Sequence, residues 1–184
     1  MNSWSGLIAD YWKVAWRYGR QFAVWSARNK LGLEAYPFMP EGDFGNLVHK
    51  GPQDIRVVRS KEDICSILDE ARSRGVPVNV CGAHHSMRGQ TLSSGGIRLI
   101  PQLPERLEVI NDGDTPLVRI AASAQWESLT ALHPQGLAAP VFTTHRSTAI
   151  AGTLSISGVG QRSYQYGRQI DTVRSIELIL PSGE

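Results

Sequence analysis

Between Trp4 and Leu31 the apolar residues Ile8, Tyr11, Trp12, Ala15, Trp16, Phe22, Ala23 and Trp25 return at helical spacing, and Lys13, Arg17, Arg20, Arg28 and Lys30 take much of the remaining surface. That period predicts an amphipathic helix, closed by Gly32 and Pro37, with a basic last turn suited to its C-terminal dipole. Residues 34–50 are rich in Pro and Gly and read as a connector, which divides the chain into residues 1–45, helix and connector, and residues 46–184, the core domain. In the core, Ile55-Arg56-Val57-Val58 alternates as a strand does. Ser60-Lys61-Glu62-Asp63 then matches a capping box opening a helix with Ile64, Ile67, Leu68 and Ala71 on one face, and Gly75 closes it. Further strands are predicted at Val76–Val80 and Ile97–Ile100, and a hairpin joins Leu107–Ile110 to Leu117–Ile120 through Asn111-Asp112-Gly113-Asp114. A short helix carries Trp126, Leu129 and Leu132 and ends at Pro134-Gln135-Gly136. The last pattern, Ile176–Leu180 before Pro181-Ser182-Gly183, reads as a strand entering a hairpin turn whose returning strand is not in the chain.

Composition narrows the class. With 41% hydrophobic and 20% charged residues, 184 residues suit one ordinary globular domain. A net charge of +2 with scattered basic residues argues against nucleic acid as a partner. Cys65 and Cys81 make no disulfide framework, so a reducing compartment is the better expectation. No signal peptide pattern precedes the helix and no run reaches the ~20 apolar residues of a membrane span, which points to the cytoplasm. Four of the five tryptophans sit in the N-terminal helix. Packing on the domain's own sheet or on an absent domain is preferred for that stripe, then docking to a partner subunit, then a membrane surface.

Candidate chemistry lies in two stretches. Cys81-Gly82-Ala83-His84-His85-Ser86-Met87-Arg88-Gly89-Gln90 follows a predicted strand, and small residues at such an end let backbone N–H groups approach a phosphate or the edge of a planar cofactor. Taken alone, His84-His85 is more simply a pair of loop histidines, and no Cys, Asp or Glu lies at metal-ligand spacing. The second stretch, residues 151–160 running on to Val173, offers Gly152, Gly158, Gly160 and Gly167 with the hydroxyls of Thr153, Ser155 and Ser157, a composition suited to donors around anionic oxygens.

Residues 82–90 resemble the Gly-Arg-Gly-His-Ser-x-x-Gly-Gln loop of flavin-dependent oxidases and dehydrogenases of the vanillyl-alcohol oxidase and p-cresol methylhydroxylase superfamily, above all the cytokinin dehydrogenases. Residues 151–173 are similar, without gaps, to that family's Gly-Gly-Thr-Leu-Ser-x-x-Gly...Gly-Pro-Gln-Ile-x-x-Val segment. The resemblance implies an α+β fold: two small α/β lobes of a p-cresol methylhydroxylase-type FAD-binding domain, preceded here by the amphipathic helix. It implies FAD as cofactor, held by Gly82, Ala83, His84, His85, Ser86, Gln90, Gly152, Thr153, Ser155, Gly158, Val159 and Val173, with covalent attachment at His85. Ala83 and His84 depart from the family's Arg and second Gly. The family's catalytic aspartate falls at Thr144, whose neutral hydroxyl is no resting base, leaving adjacent His145 as a substitute; a nearby FAD-contacting Thr falls at Ala149. No cysteine lies in residues 143–150, so a double His-plus-Cys linkage of berberine-bridge type is not expected. The family's substrate domain would follow residue 184. The chain therefore reads as the FAD-binding half of an oxidoreductase acting on a C–N or C–OH bond, with a second subunit or further segment completing it. The other readings are a non-catalytic subunit or remnant, and a nucleotide binder without redox chemistry.

Overall fold

The fold described is that of a computed structural model, covering residues 42–44, 47–50, 54–113 and 115–184; the expected N-terminal helix lies outside them. Two hydrophobic cores organise these residues into two lobes.

In the first lobe β1 (Asp54–Val58) leads into α1 (Lys61–Arg74), β2 (Val78–Val80) and, after the loop, β3 (Ile97–Pro101). The strands are parallel in the order β1-β3-β2, with Val58 opposite Pro101 and Val80 opposite Leu99. The centre position explains why Ile97, Arg98, Leu99 and Ile100 are all buried: a parallel strand covered on both faces loses the alternation its sequence would otherwise show. The Ser60 side chain accepts from the Asp63 N–H and the Asp63 carboxylate accepts from the Ser60 N–H, closing the predicted capping box. Gly75 ends α1 in the left-handed conformation at φ 63°. Ala71 on α1 packs with Val58, Ile97 and Leu99, and Ile64, Ile67, Val76 and Val78 fill around them.

The second lobe begins with the antiparallel hairpin β4 (Glu108–Asp112) and β5 (Thr115–Arg119). A 3-10 helix, Trp126–Gln135, follows and ends at Gly136 (φ 73°). Trp126, Leu129 and Leu132 are buried with Ala124 and Ile150, against Val109, Val118, Phe142 and Leu154. Then come α2 (Ile150–Ser155), α3 (Ser163–Tyr166) and a second 3-10 helix, Gln169–Thr172.

One element has no counterpart in the sequence pattern above, and one expectation needs correction. The small-residue stretch after residue 150 begins as a helix, because the Ile150 N–H donates to the Ala124 carbonyl at 2.9 Å and the Ala151 N–H to the Ala122 carbonyl at 3.2 Å, so the helix starts already anchored to the core. Residues 174–180 form no strand: among the described residues no neighbouring strand meets their backbone, and Ile176, Leu178 and Leu180 stand 53%, 70% and 49% exposed. Among the described residues no helix is long and apolar enough to cross a membrane.

Candidate functional site

The Cys81 N–H donates to the Leu99 carbonyl at 2.8 Å, the last tie to the sheet before the chain enters the loop. His84 adopts a left-handed backbone at φ 57°. A residue with a Cβ pays about 1–2 kcal/mol for that conformation, so something must hold it there. The ring does: Nε2 lies 2.9 Å from the Gly42 carbonyl and Nδ1 3.3 Å from Cys81 Sγ. A carbonyl only accepts, so the proton is on Nε2 and the Nδ1 lone pair accepts the thiol S–H. At about 0.5–1.5 kcal/mol each, two such bonds offset the backbone strain. His84, 9% exposed, thus has its ring directed into the protein.

His85 is placed differently. Its ring packs between Phe44, centroids 4.6 Å apart, and His145, at 4.5 Å and 66°. The His145 Nε2 is 2.9 Å from Ser147 Oγ. The Ser86 hydroxyl bonds Thr91 Oγ1 at 3.1 Å, and the Gln90 side-chain carbonyl accepts the Arg88 N–H at 3.0 Å, so both brace the turn from within. Burial holds the His84 imidazole below the ordinary histidine pKa, with Arg98's charge adding to it; at His85 burial is again first, followed by His145 and His84. As pH falls the unfolded chain, with histidines at about 6.5, takes up protons before the folded one. Stability from these groups is therefore full above about pH 6.5 and declines as pH falls below it. A denaturant-midpoint series across the histidine range should show that decline, and a flat profile would contradict the burial of these rings.

The segment just before the second stretch, residues 145–149, meets the first at two points. A side chain on Gly82 would meet Ala149 Cβ at 2.8 Å, so glycine is what lets the loops abut there, and His145 reaches His85. Gly152 lies behind Ala149, its Cβ position 3.9 Å from the alanine methyl. Thr153 Oγ1 accepts from Trp126 Nε1 at 2.8 Å and donates to the Ile150 carbonyl, while Ser155 Oγ donates to the Ala151 carbonyl at 2.7 Å, so both hydroxyls are engaged within the lobe. Gly158 donates to the Thr153 carbonyl and accepts from Gln169 N–H, fixing the turn that presents Val159, 67% exposed. Val173 follows the second 3-10 helix. Thr144 lines a cleft of about 470 Å³ together with, among others, His133, Phe142, Arg146, Gln161 and Arg162. The sequence reading passed over Phe44 and the Gly42 carbonyl; an aromatic beside the turn residues Asp43, Gly45 and Asn46 was the available signal in a stretch read as connector.

This arrangement fits a dinucleotide. Residues 81–90 and 141–160 contain no Asp or Glu and include Arg88 and Arg146, so nothing in them repels a diphosphate. Gly82 and Ala83 keep the backbone bare, and His85 supplies a half-buried ring.

Known proteins give the same answer. Residues 52–184 match a protein family described as FAD binding domain. The chain is 31% identical over 143 residues to an uncharacterized oxidoreductase of the fasciation locus of Rhodococcoides fascians, covering 77% of this chain and 32% of that protein. It is 30% identical over 149 residues to cytokinin dehydrogenase 7 of Oryza sativa subsp. japonica, covering 77% and 28%. The chain thus spans about a third of the length of these relatives. Among solved structures it is similar in fold to 6-hydroxy-D-nicotine oxidase from Arthrobacter nicotinovorans, at TM-score 0.66 and 21% identity over 82% of this chain and 33% of that one. A VAO-type flavoprotein from Myceliophthora thermophila C1 gives TM-score 0.65 and 18% identity over 71% and 25%. With the abutting loops, the matched residues and these relatives together, the chain belongs to the FAD binding domain family, in its p-cresol methylhydroxylase form, and FAD is its cofactor.

Proposed function

We propose that this chain is the FAD-binding half of a flavin-dependent oxidase or dehydrogenase acting on a C–N or C–OH bond, cytokinin dehydrogenase-like, with a second polypeptide or further segment walling the substrate site. One observation carries the reading: Gly82 against Ala149 and His85 against His145 bring the segment leading into the second cofactor stretch against the first. Bound FAD supplies hydride acceptance from the substrate carbon. In this reading the chain's residues bind and orient. The backbone of residues 82–86, with Gly152 and Gly158, would hold the diphosphate. His85, held between Phe44 and His145, would be the point of covalent attachment to the flavin. Thr144 offers only a neutral hydroxyl, which is no resting base, and the adjacent His145 is the candidate to take its place. The exposed Ile176, Leu178 and Leu180 offer an extended edge to the missing half, a second subunit of a hetero-oligomer or chain continuing beyond.

A second reading is a non-catalytic FAD-domain subunit or remnant kept for assembly. It is favoured by Thr144 in the place of the base and by Ala83 and His84 in the diphosphate loop. Purified protein incubated with FAD and desalted should keep the visible flavin band. A colourless product, with or without co-purified partners, refutes the first reading. Flavin that is retained in a complex yet never bleached by amine or alcohol substrates without oxygen selects the second.

A further inference from the structure

The residues just upstream of β1 lie across the cofactor loop. Gly42 pairs with His49 in an antiparallel bridge, and the Asp43 N–H donates to the Val48 carbonyl at 3.1 Å, so the chain doubles back on itself. Asp43, 1% exposed, secures that return: its Oδ1 accepts from the N–H groups of Leu47 at 2.8 Å and Val48 at 3.3 Å. Burial alone would raise the Asp43 carboxyl, but these donors, with the N–H of Gly89, hold it below the usual range. The strap so formed touches the loop repeatedly. The Gly42 carbonyl accepts from the His84 ring at 2.9 Å, and the Phe44 N–H donates to the Ser86 carbonyl at 2.9 Å. The Phe44 ring leans on His85 at 38°, and Val48 Cγ1 occupies the space beside Gly89, 2.7 Å from where a Cβ would stand.

His84 is the reason a strap is needed. Gly89 and Gly95 take their left-handed conformations at the low cost glycine allows, but His84 sits at φ 57° with a full side chain. Its ring bonds are made to Cys81, within the loop, and to Gly42, on the strap. We propose that the strap formed by residues 42–44 and 47–49 is a positioning device for the FAD loop: Gly42 lets a histidine hold the left-handed place at 84, and Phe44 sets the direction of His85. The inference rests on residues 82–90 being the loop that wraps FAD.

His84→Ala and His84→Gly separate this from a general structural role, because alanine keeps the backbone strain and loses the ring bonds whereas glycine loses both. The whole chain is titrated with FAD by flavin fluorescence, and amide exchange over residues 82–90 is followed without FAD. His84→Ala should bind FAD about tenfold more weakly and exchange faster over the loop, while His84→Gly stays within about twofold of wild type. Phe44→Ala should show a similar loss and Phe44→Tyr should restore it, the thermal midpoint of Phe44→Tyr matching wild type. Wild-type affinity and exchange in His84→Ala overturn the proposal, and so does equal weakening in alanine and glycine variants, which would mean that the ring itself serves the ligand. If wild type takes up no FAD, the cofactor reading fails, while the exchange rates still decide whether the strap orders the loop.

Discussion

Replacing His85 with alanine is expected to remove all acid-stable flavin from the protein while leaving a coloured, noncovalent complex. The ring is the more exposed of the loop's two imidazoles, the His84 side chain being buried and spent on Gly42 and Cys81. His145 lies edge-on to His85 but comes from the segment before the second stretch, so it inherits contact and not the position. Removing the His85 ring also strips one partner from both Phe44 and His145, and aromatic pairs of this kind are worth about 0.5–1.5 kcal/mol. Noncovalent FAD should accordingly bind about tenfold more weakly, which is about 1.4 kcal/mol. Acid precipitation followed by a flavin spectrum of pellet and supernatant reads the first effect, and fluorescence titration the second. Flavin remaining in the pellet of the variant would show that another residue carries the tether.

Gly160→Ala should be the most damaging small substitution in the second stretch. A Cβ there would overlap the Phe142 carbonyl oxygen and stand 2.8 Å from its carbon and 3.1 Å from Val141 Cγ1, and Val141 is fully buried. Backbone cannot swing aside as a side chain can, so one methyl group should cost about 3 kcal/mol, against a total of about 5–15 for a domain. The denaturant midpoint measures it. Gly152→Ala is the matched comparison, because there a Cβ meets only the Ala149 methyl at 3.9 Å within α2, and alanine favours helix by about 0.5–1 kcal/mol. An unchanged midpoint for Gly160→Ala would mean that the two segments are not in contact.

These contrasts mark where the sequence could be read and where it could not. The capping box at Ser60 and Asp63, the glycine stop at 75 and the hairpin around Gly113 are signals contained within a few residues, and each has its structural counterpart. Trp126, Leu129 and Leu132 declared their shared core by spacing alone. Arg98 did not declare its burial, because that follows from β3 lying between β1 and β2, a fact of pairing and not of local pattern. The helix from Ile150 was hidden by its glycine and hydroxyl content, since the tie to Ala122 and Ala124 that starts it is tertiary. Ile176–Leu180 shows the converse: alternation was plain, yet a strand exists only with a neighbour. In the site, the family resemblance pointed to residues 82–90 and 151–173 sharing one cofactor, whereas the contacts from His145 and Ala149, just upstream of the second stretch, and the placing of Phe44, Gly42 and the inward turn of His84 are tertiary and carry no local signal.

Anyone trimming this protein for expression would be tempted to begin at residue 52, where the family match starts. That cut discards the Gly42 carbonyl, the Phe44 N–H and ring, and Val48 together, and leaves a histidine at 84 without its outside support. A minimal fragment should keep at least Gly42 onward, for the working boundary of the domain lies upstream of the one that similarity draws.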